Sequence, residues 1–206
     1  MIGDSGVGKT CLVERFVHNR VPDDVMPTVG HEFSQKIIAT GKGVELAVQI
    51  WDTAGQEKYK ALSTNHYKGA SGALLVFDLT NDKSFRNTMN WLNDFRTHAQ
   101  ENAKVLLVGN KLDLVELDPG ARCVDKKNVE NMAQINKITY VETSAAVDKY
   151  VNQAFHVLLE GRVCYYTLEI MSTVGSVVDQ TGGIRLTEYN MHNEPIKDDG
   201  CCSTGG

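Results

Sequence analysis

The 206-residue chain contains no apolar run long enough to cross a membrane. Its first residues do not resemble a secretory leader, because Met1 and Ile2 give way to glycine and polar residues within three positions. There is no excess of positive charge: 21 Lys and Arg face 26 Asp and Glu, a net −5, and no long basic run offers a footprint for nucleic acid. No disulfide framework is visible either. Cys11, Cys123 and Cys164 stand singly, the pattern of a reduced intracellular protein, so the expected compartment is the cytosol. One further absence concerns the fold. Gly3 to Thr10, "GDSGVGKT", match G-x-x-x-x-G-K-[ST], a phosphate-cradling loop that normally hangs from the end of a β-strand. Only Met1 and Ile2 precede it, too few for a strand. Losing that strand is expected to expose two neighbouring strand edges and weaken the core, and an incomplete start of the sequence is the expected explanation.

What remains suffices for one domain. With 42% hydrophobic and 23% charged residues, the chain resembles an ordinary globular α/β domain followed by a tail. Leu12, Val13, Phe16 and Val17 share one face of a helix over 9–17. The stretch 21–30, with two prolines and a glycine, predicts a loop. "FSQKIIAT", "GKG" and "VELAVQIWD" predict a hairpin, with Val44, Leu46, Val48 and Ile50 on its buried face. The unbroken apolar runs 72–78 and 104–110 suit central parallel strands covered on both sides. A helix is expected between them, with Phe85, Met89, Leu92 and Phe95 inward. Another follows at 125–136 with Asp125 as N-cap, then a strand in "ITYVETSA" and a closing helix from Val151. Strands alternating with helices predict a mostly parallel, doubly wound α/β sheet with helices on both faces, its first strand largely missing. Ligands of such sheets bind at the carboxyl ends of the strands.

The chemistry-bearing motifs fall at those ends. The glycines of the first loop let backbone N–H groups converge as an anion nest; Lys9 supplies a point charge for the β- and γ-phosphates, and the Thr10 hydroxyl a Mg²⁺ ligand. In "WDTAGQE" (51–57), Asp52 is placed to hold the metal through water, Gly55 to let a backbone N–H approach a terminal phosphate, and Gln56 to orient an attacking water. In "GNKLD" (109–113) the Asp113 carboxylate can accept two N–H groups of guanine, a donor pair that adenine lacks, with Asn110 and Lys111 bracing the pocket. Each motif alone could be an ordinary turn, cap or strand exit. Three in one α/β chain, in this order, converge on one ligand.

Together with Thr28 of "PTVG" and "ETSAA" (142–146), these segments resemble the small GTPases of the Ras superfamily, and specifically the Rab family, over residues 1 to about 160. "TVGHEF", "VQIWDTAGQE", "KYKALS" and "HYKGASGALLVFDLTN" carry the Rab likeness. The resemblance implies a P-loop GTPase (G domain) over 1–171 that binds GTP and GDP with Mg²⁺. It implies nucleotide contacts from Ser5, Gly6, Val7, Gly8, Lys9, Thr10, Cys11, Thr28, Gly55, Asn110, Lys111, Asp113, Ser144, Ala145 and Ala146. Ser144 and Ala145 would contribute backbone groups. Thr10, Thr28 and Asp52 would be metal ligands, and Gln56 the catalytic residue. It also implies slow hydrolysis of GTP until an activating protein acts, an exchange factor, effectors in vesicle trafficking, and escort or GDI-type proteins for a prenylated chain.

Some positions depart from the family pattern. Val21 and Val25 stand where aromatics usually pack near guanine, which predicts weaker nucleotide retention. Ala146 replaces the usual lysine. Gly161 interrupts the last helix, and the "GRVCYY" that it begins has no counterpart in the usual pattern. The tail 172–206 is poor in large apolar residues, which predicts a disordered hypervariable segment. Cys201 and Cys202 resemble the paired prenylation cysteines of Rab proteins, although "STGG" follows them. Two lipid chains would place the protein peripherally on the cytosolic face of endomembranes. Two rivals stand beside the GTPase: a non-hydrolysing nucleotide-binding scaffold or defective pseudo-GTPase, and an ATP-using P-loop enzyme.

Overall fold

The computed structural model describes residues 1–22, 28, 30–39, 45–53 and 66–160. All lie in a unit running from Met1 to Tyr166, and a second unit, Thr167–Gly206, falls wholly outside them. The expectations at Val25, Gly55, Gln56, Cys201 and Cys202, and at "GRVCYY", therefore lie outside the described residues.

Helix α1 (Lys9–His18) is followed by β1 (His31–Ala39) and β2 (Glu45–Thr53), an antiparallel pair in which His31 faces Thr53 and Ala39 faces Glu45. Strands β3 (Gly72–Asp78), β4 (Lys104–Asn110) and β5 (Thr139–Glu142) form a parallel sheet in that order. Side chains of β3 alternate between two cores, as the pleat requires. Ala73, Leu75 and Phe77 join the core on one face, while Leu74 and Val76 point to the other. Helices α2 (Asp82–Arg86), α3 (Thr88–His98), α4 (Leu112–Leu117) and α5 (Lys126–Ile135) follow in chain order. Trp91, Leu92, Phe95, Leu112, Val129 and Ala133 build the first core. Helix α1 and the last helix, α6 (residues 151–160), close the second, where the rings of Phe16 and Phe155 stack 3.9 Å apart.

Two features differ from expectation. The single helix expected between β3 and β4 breaks at Asn87, which ends α2 and begins α3. Helix α4, six residues long, was not foreseen because it starts inside the "NKLD" motif. The Asp125 cap is as expected, with its carboxylate accepting the Asn128 N–H at 3.0 Å.

Ahead of the phosphate loop the chain is paired through one residue. Ile2 makes one parallel bridge to Leu75, its N–H donating to Leu74 O (2.9 Å) and its carbonyl accepting from the Val76 N–H (2.8 Å). On the other side the Met1 ammonium donates to Trp51 O, and the Thr53 hydroxyl to Met1 O, both at 2.8 Å. Two residues thus join the carboxyl end of β2 to the middle of β3. Beyond them lies a cavity of about 660 Å³ lined by Leu46, Val48 and Ile50 of β2, Gly72 and Leu74 of β3, and Phe155, Leu158 and Leu159 of α6. The edges of β2 and β3 face each other across it.

Candidate functional site

The phosphate loop is built by backbone that only glycine tolerates at two positions. Gly3 (φ +133°) and Gly8 (φ +95°) lie in the left-handed half of conformational space. A Cβ at Gly3 would sit 2.1 Å from the Val76 carbonyl oxygen, and one at Gly8 2.3 Å from Asn110 Nδ2. Gly8 also serves as the N-cap of α1, and no side chain caps that end. The first turn therefore presents backbone donors with no side-chain acceptor, the arrangement that attracts an anion. Val7 is buried in the second core and anchors the loop, while Ser5 and Gly6 are exposed at its mouth.

Lys9 is buried, and its ammonium donates to the carbonyls of Gly3 (2.9 Å) and Asp4 (2.8 Å). Burial lowers its pKa to about 8, with Asp52 and Asp4 opposing the shift. Next to it, Cys11 is half-buried, and burial pushes its thiol pKa up.

The three expected metal ligands meet. The Thr10 hydroxyl donates to Asp52 Oδ2 (2.5 Å) and shares a hydrogen bond with the Thr28 hydroxyl (2.7 Å). Asp52 is 2% exposed, and its Oδ1 is buried without a hydrogen-bond partner. A buried carboxylate oxygen with nothing to accept is costly, and a hard cation satisfies it. No group of three or more His, Cys, Asp or Glu residues assembles among the described residues, so the oxygen set suits Mg²⁺ rather than a zinc-type metal. The residues present fit the ion.

Across the sheet's carboxyl edge, Asn110 ties three loops together. Its Nδ2 donates to Val7 O (2.9 Å), and its Oδ1 accepts from the Thr143 hydroxyl (3.2 Å) and the Ala145 N–H (3.3 Å). Lys111 takes a left-handed conformation (φ +67°), and its ammonium pairs with Asp78 Oδ2 at 2.7 Å. The Asp113 carboxylate accepts from the Ser144 hydroxyl at 2.5 Å. The backbone N–H groups of Ser144 and Ala145 are engaged within the protein, by Lys149 O and Asn110 Oδ1 respectively. Arg15 of α1 donates to the carbonyls of Ala145 and Ala146, both at 3.0 Å, so the 144–146 loop rests on the helix that begins at the phosphate loop.

Comparison with known proteins agrees with this arrangement. A family model described as "Ras family" matches residues 1–162. The chain belongs to the Ras family. Among its relatives, Ras-related protein Rab-10 of Caenorhabditis elegans is 41% identical over 160 residues, covering 78% of this chain and 77% of the relative. GTP-binding protein ypt3 of Schizosaccharomyces pombe is 42% identical over 160 residues, 77% of this chain and 72% of the relative. Ras-related protein RABA2b of Arabidopsis thaliana is 34% identical over 207 residues, 99% of this chain and 92% of the relative. This is a Rab-type small GTPase with the α/β fold of its family.

Within the GTPase, Val21 is half-buried and Ala146 exposed. The sequence reading overlooked three side chains that organise the site. Asp4 occupies a variable position of the phosphate-loop motif, so nothing in the motif marks it. Arg15 and Asp78 act on loops remote in sequence, and no local spacing announces them. The same holds for Phe33 and Trp51, which pair across β1 and β2 with ring centres 5.1 Å apart and remain 46% and 40% exposed. Ile37 shares their outward face, and His66 stacks on Trp51 at 4.4 Å.

Proposed function

We propose that this GTPase is a GTP/GDP switch of vesicle trafficking that hydrolyses GTP slowly by itself and recruits effectors in its GTP form. The observation that carries the proposal is the Thr10–Thr28–Asp52 cluster, with the unpartnered Asp52 Oδ1, set beside an uncapped helix start and a buried lysine. Thr10, Thr28 and Asp52 would hold Mg²⁺, which when bound neutralises charge on the β- and γ-phosphate oxygens. Ser5 to Cys11 would wrap the phosphates, with the Lys9 ammonium, held by its two carbonyl partners, presented to phosphate oxygens. Asn110, Lys111, Asp113 and the 144–146 loop would hold guanine. Gly55 would approach the γ-phosphate, and Gln56 would orient the attacking water. No arginine in these motifs serves as a finger, so an activating protein completes the site. The outward face of Phe33, Ile37 and Trp51 lies on strands that adjoin the metal cluster. An effector reading the nucleotide state would find its apolar anchors there.

Residues 1–171 form the G domain in this proposal, and 172–206 a tail whose Cys201 and Cys202 carry two prenyl chains. Dual lipidation would hold the protein peripherally on cytosolic membrane faces, with an exchange factor and escort or GDI-type proteins as further partners. Among the described residues no helix is long and apolar enough to cross a membrane.

Single-turnover hydrolysis of GTP, with and without cytosolic extract as a source of activating protein, tests the switch. Phosphate release from the parent that exceeds the Gln56→Leu variant supports it. Release equal to that variant in both conditions favours a nucleotide-binding scaffold. Equal affinity for ATP and GTP would defeat the role given to Asp113, and Asp113→Asn should shift preference toward xanthosine nucleotides.

A further inference from the structure

Asp4 carries its carboxylate away from the nucleotide side of the phosphate loop and toward the junction of α2 and α3. Oδ1 accepts from the Trp91 indole N–H and Oδ2 from the Asn87 side-chain amide, both at 2.7 Å. Both donors are neutral, and both come from α3 or its cap. Asn87 is the N-cap residue of α3, where an Asn side chain ordinarily accepts from the helix's own first turn. Here it makes no side-chain cap bond. Asn87 is itself helical (φ −71°, ψ −15°), and its amide nitrogen donates to Asp4, whereas Asn81, extended at the start of α2, caps in the usual way by accepting from the N–H groups of Lys83 and Ser84.

The same residue serves Lys9. The backbone carbonyls of Gly3 and Asp4 are the two acceptors of the lysine ammonium. Gly3 is pressed against Val76 of the sheet, so the loop's entry is fixed on that side by close approach. Asp4 fixes it on the other side by two hydrogen bonds to a charged acceptor, a stronger kind than neutral pairs. We propose that Asp4, clamped by Asn87 and Trp91, is a positioning residue. It holds the loop carbonyls and Lys9 in the geometry that accepts phosphate, and so sets how long nucleotide stays bound. The inference rests on the proposed nucleotide role of the loop.

The experiment measures release of fluorescently labelled GDP, with Mg²⁺ present, from the full chain and its variants at one temperature. Urea unfolding first confirms that each variant is folded there. Asp4→Asn keeps an acceptor for Trp91 but turns a second amide against Asn87, and release should quicken roughly tenfold. Trp91→Phe keeps an aromatic ring and removes the indole donor, with an effect of similar direction. The exchanged pair, Asp4→Asn with Asn87→Asp, restores donor opposite acceptor and should bring release back to within about threefold of the parent. A general loss of packing would give no such rescue. Should Asp4→Asn and Trp91→Phe both release GDP within about twofold of a parent that binds it, the clamp is overturned while the nucleotide role of the loop stands. A parent that binds no GDP overturns both.

Discussion

Asn110 and Val7 are separated by 103 positions in sequence and joined by a 2.9 Å hydrogen bond from the Asn110 amide to the Val7 carbonyl. This contact fastens the phosphate loop to the loops at 110–113 and 143–146, because the same side chain also accepts from Thr143 and Ala145. Gly8 lies directly against it. Asn110→Ala leaves a buried carbonyl, a buried hydroxyl and a buried N–H without their partner. Stability should fall by about 3 kcal/mol, readable as a lower urea midpoint with unchanged slope. GDP affinity should fall with it. A midpoint equal to the parent's would show that the three loops are held elsewhere.

Lys9 gives nucleotide binding a pH dependence. Its pKa of about 8 in the empty loop means that the ammonium loses its proton in mildly alkaline solution. Phosphate stabilises the charged form, so binding above that pH takes up a proton. GDP affinity of the emptied protein should therefore be flat below about pH 7 and decline from about pH 8 to 9, by no more than tenfold per pH unit. Lys9→Arg, protonated throughout, should bind more weakly but without the slope. A parent titration flat across this window would contradict the burial assigned to Lys9.

Glu142 provides a second titration, this time of folding. Burial alone would raise its pKa, but hydrogen bonds from Arg122 and Tyr140, and the charge of Arg122, hold it below the usual value of 4.5. Arg122 grips it with two bonds of 3.0 and 2.8 Å. A depressed carboxylate pKa contributes stability above the unfolded value and loses it as pH falls through the folded one. Arg122→Ala should cost about 1–2 kcal/mol at neutral pH, and the gap from the parent should close at the acid end. Urea midpoints at a series of pH values decide it; a gap independent of pH would assign the loss to packing instead.

The cavity between β2 and β3 can be filled by design. A segment of five or six β-branched residues fused ahead of Met1 would run alongside Leu46–Ile50 and Gly72–Leu74, pairing with the edges that face the cavity and covering Phe155 and Leu158. Burying three or four aliphatic side chains there should raise stability by more than about 3 kcal/mol. Thermal unfolding of the two proteins is the comparison. An unshifted midpoint would mean that the cavity is filled in solution by something else.

These tests also mark what could be read from the sequence. Strands β3 and β4 were legible because both faces are covered, which leaves an unbroken apolar run. Helix α1 and the Asp125 cap were legible because their signals are local. The break at Asn87 was not, since the apolar spacing of Phe85, Met89, Leu92 and Phe95 runs straight through it, and the bond from its side chain goes to Asp4, 83 positions away. Helix α4 escaped because six residues carry less than two turns of periodicity. At the site, motif order brought Thr10, Thr28 and Asp52 to one place. The residues that brace them, Asp4, Arg15 and Asp78, work through contacts that no motif contains.

Trp51 and Asp52 are neighbours on β2, one 40% exposed and the other 2%. Along a strand, consecutive side chains emerge on opposite faces, and a slip of the β1–β2 register by one residue would exchange them. The indole would then turn inward, against Thr10, and the carboxylate would face water. What a partner touches and what the interior holds are thus two sides of a single ribbon, one Cα step apart. An error in pairing that hairpin would not produce a blind catalyst or an idle recogniser; it would take away both faculties at once.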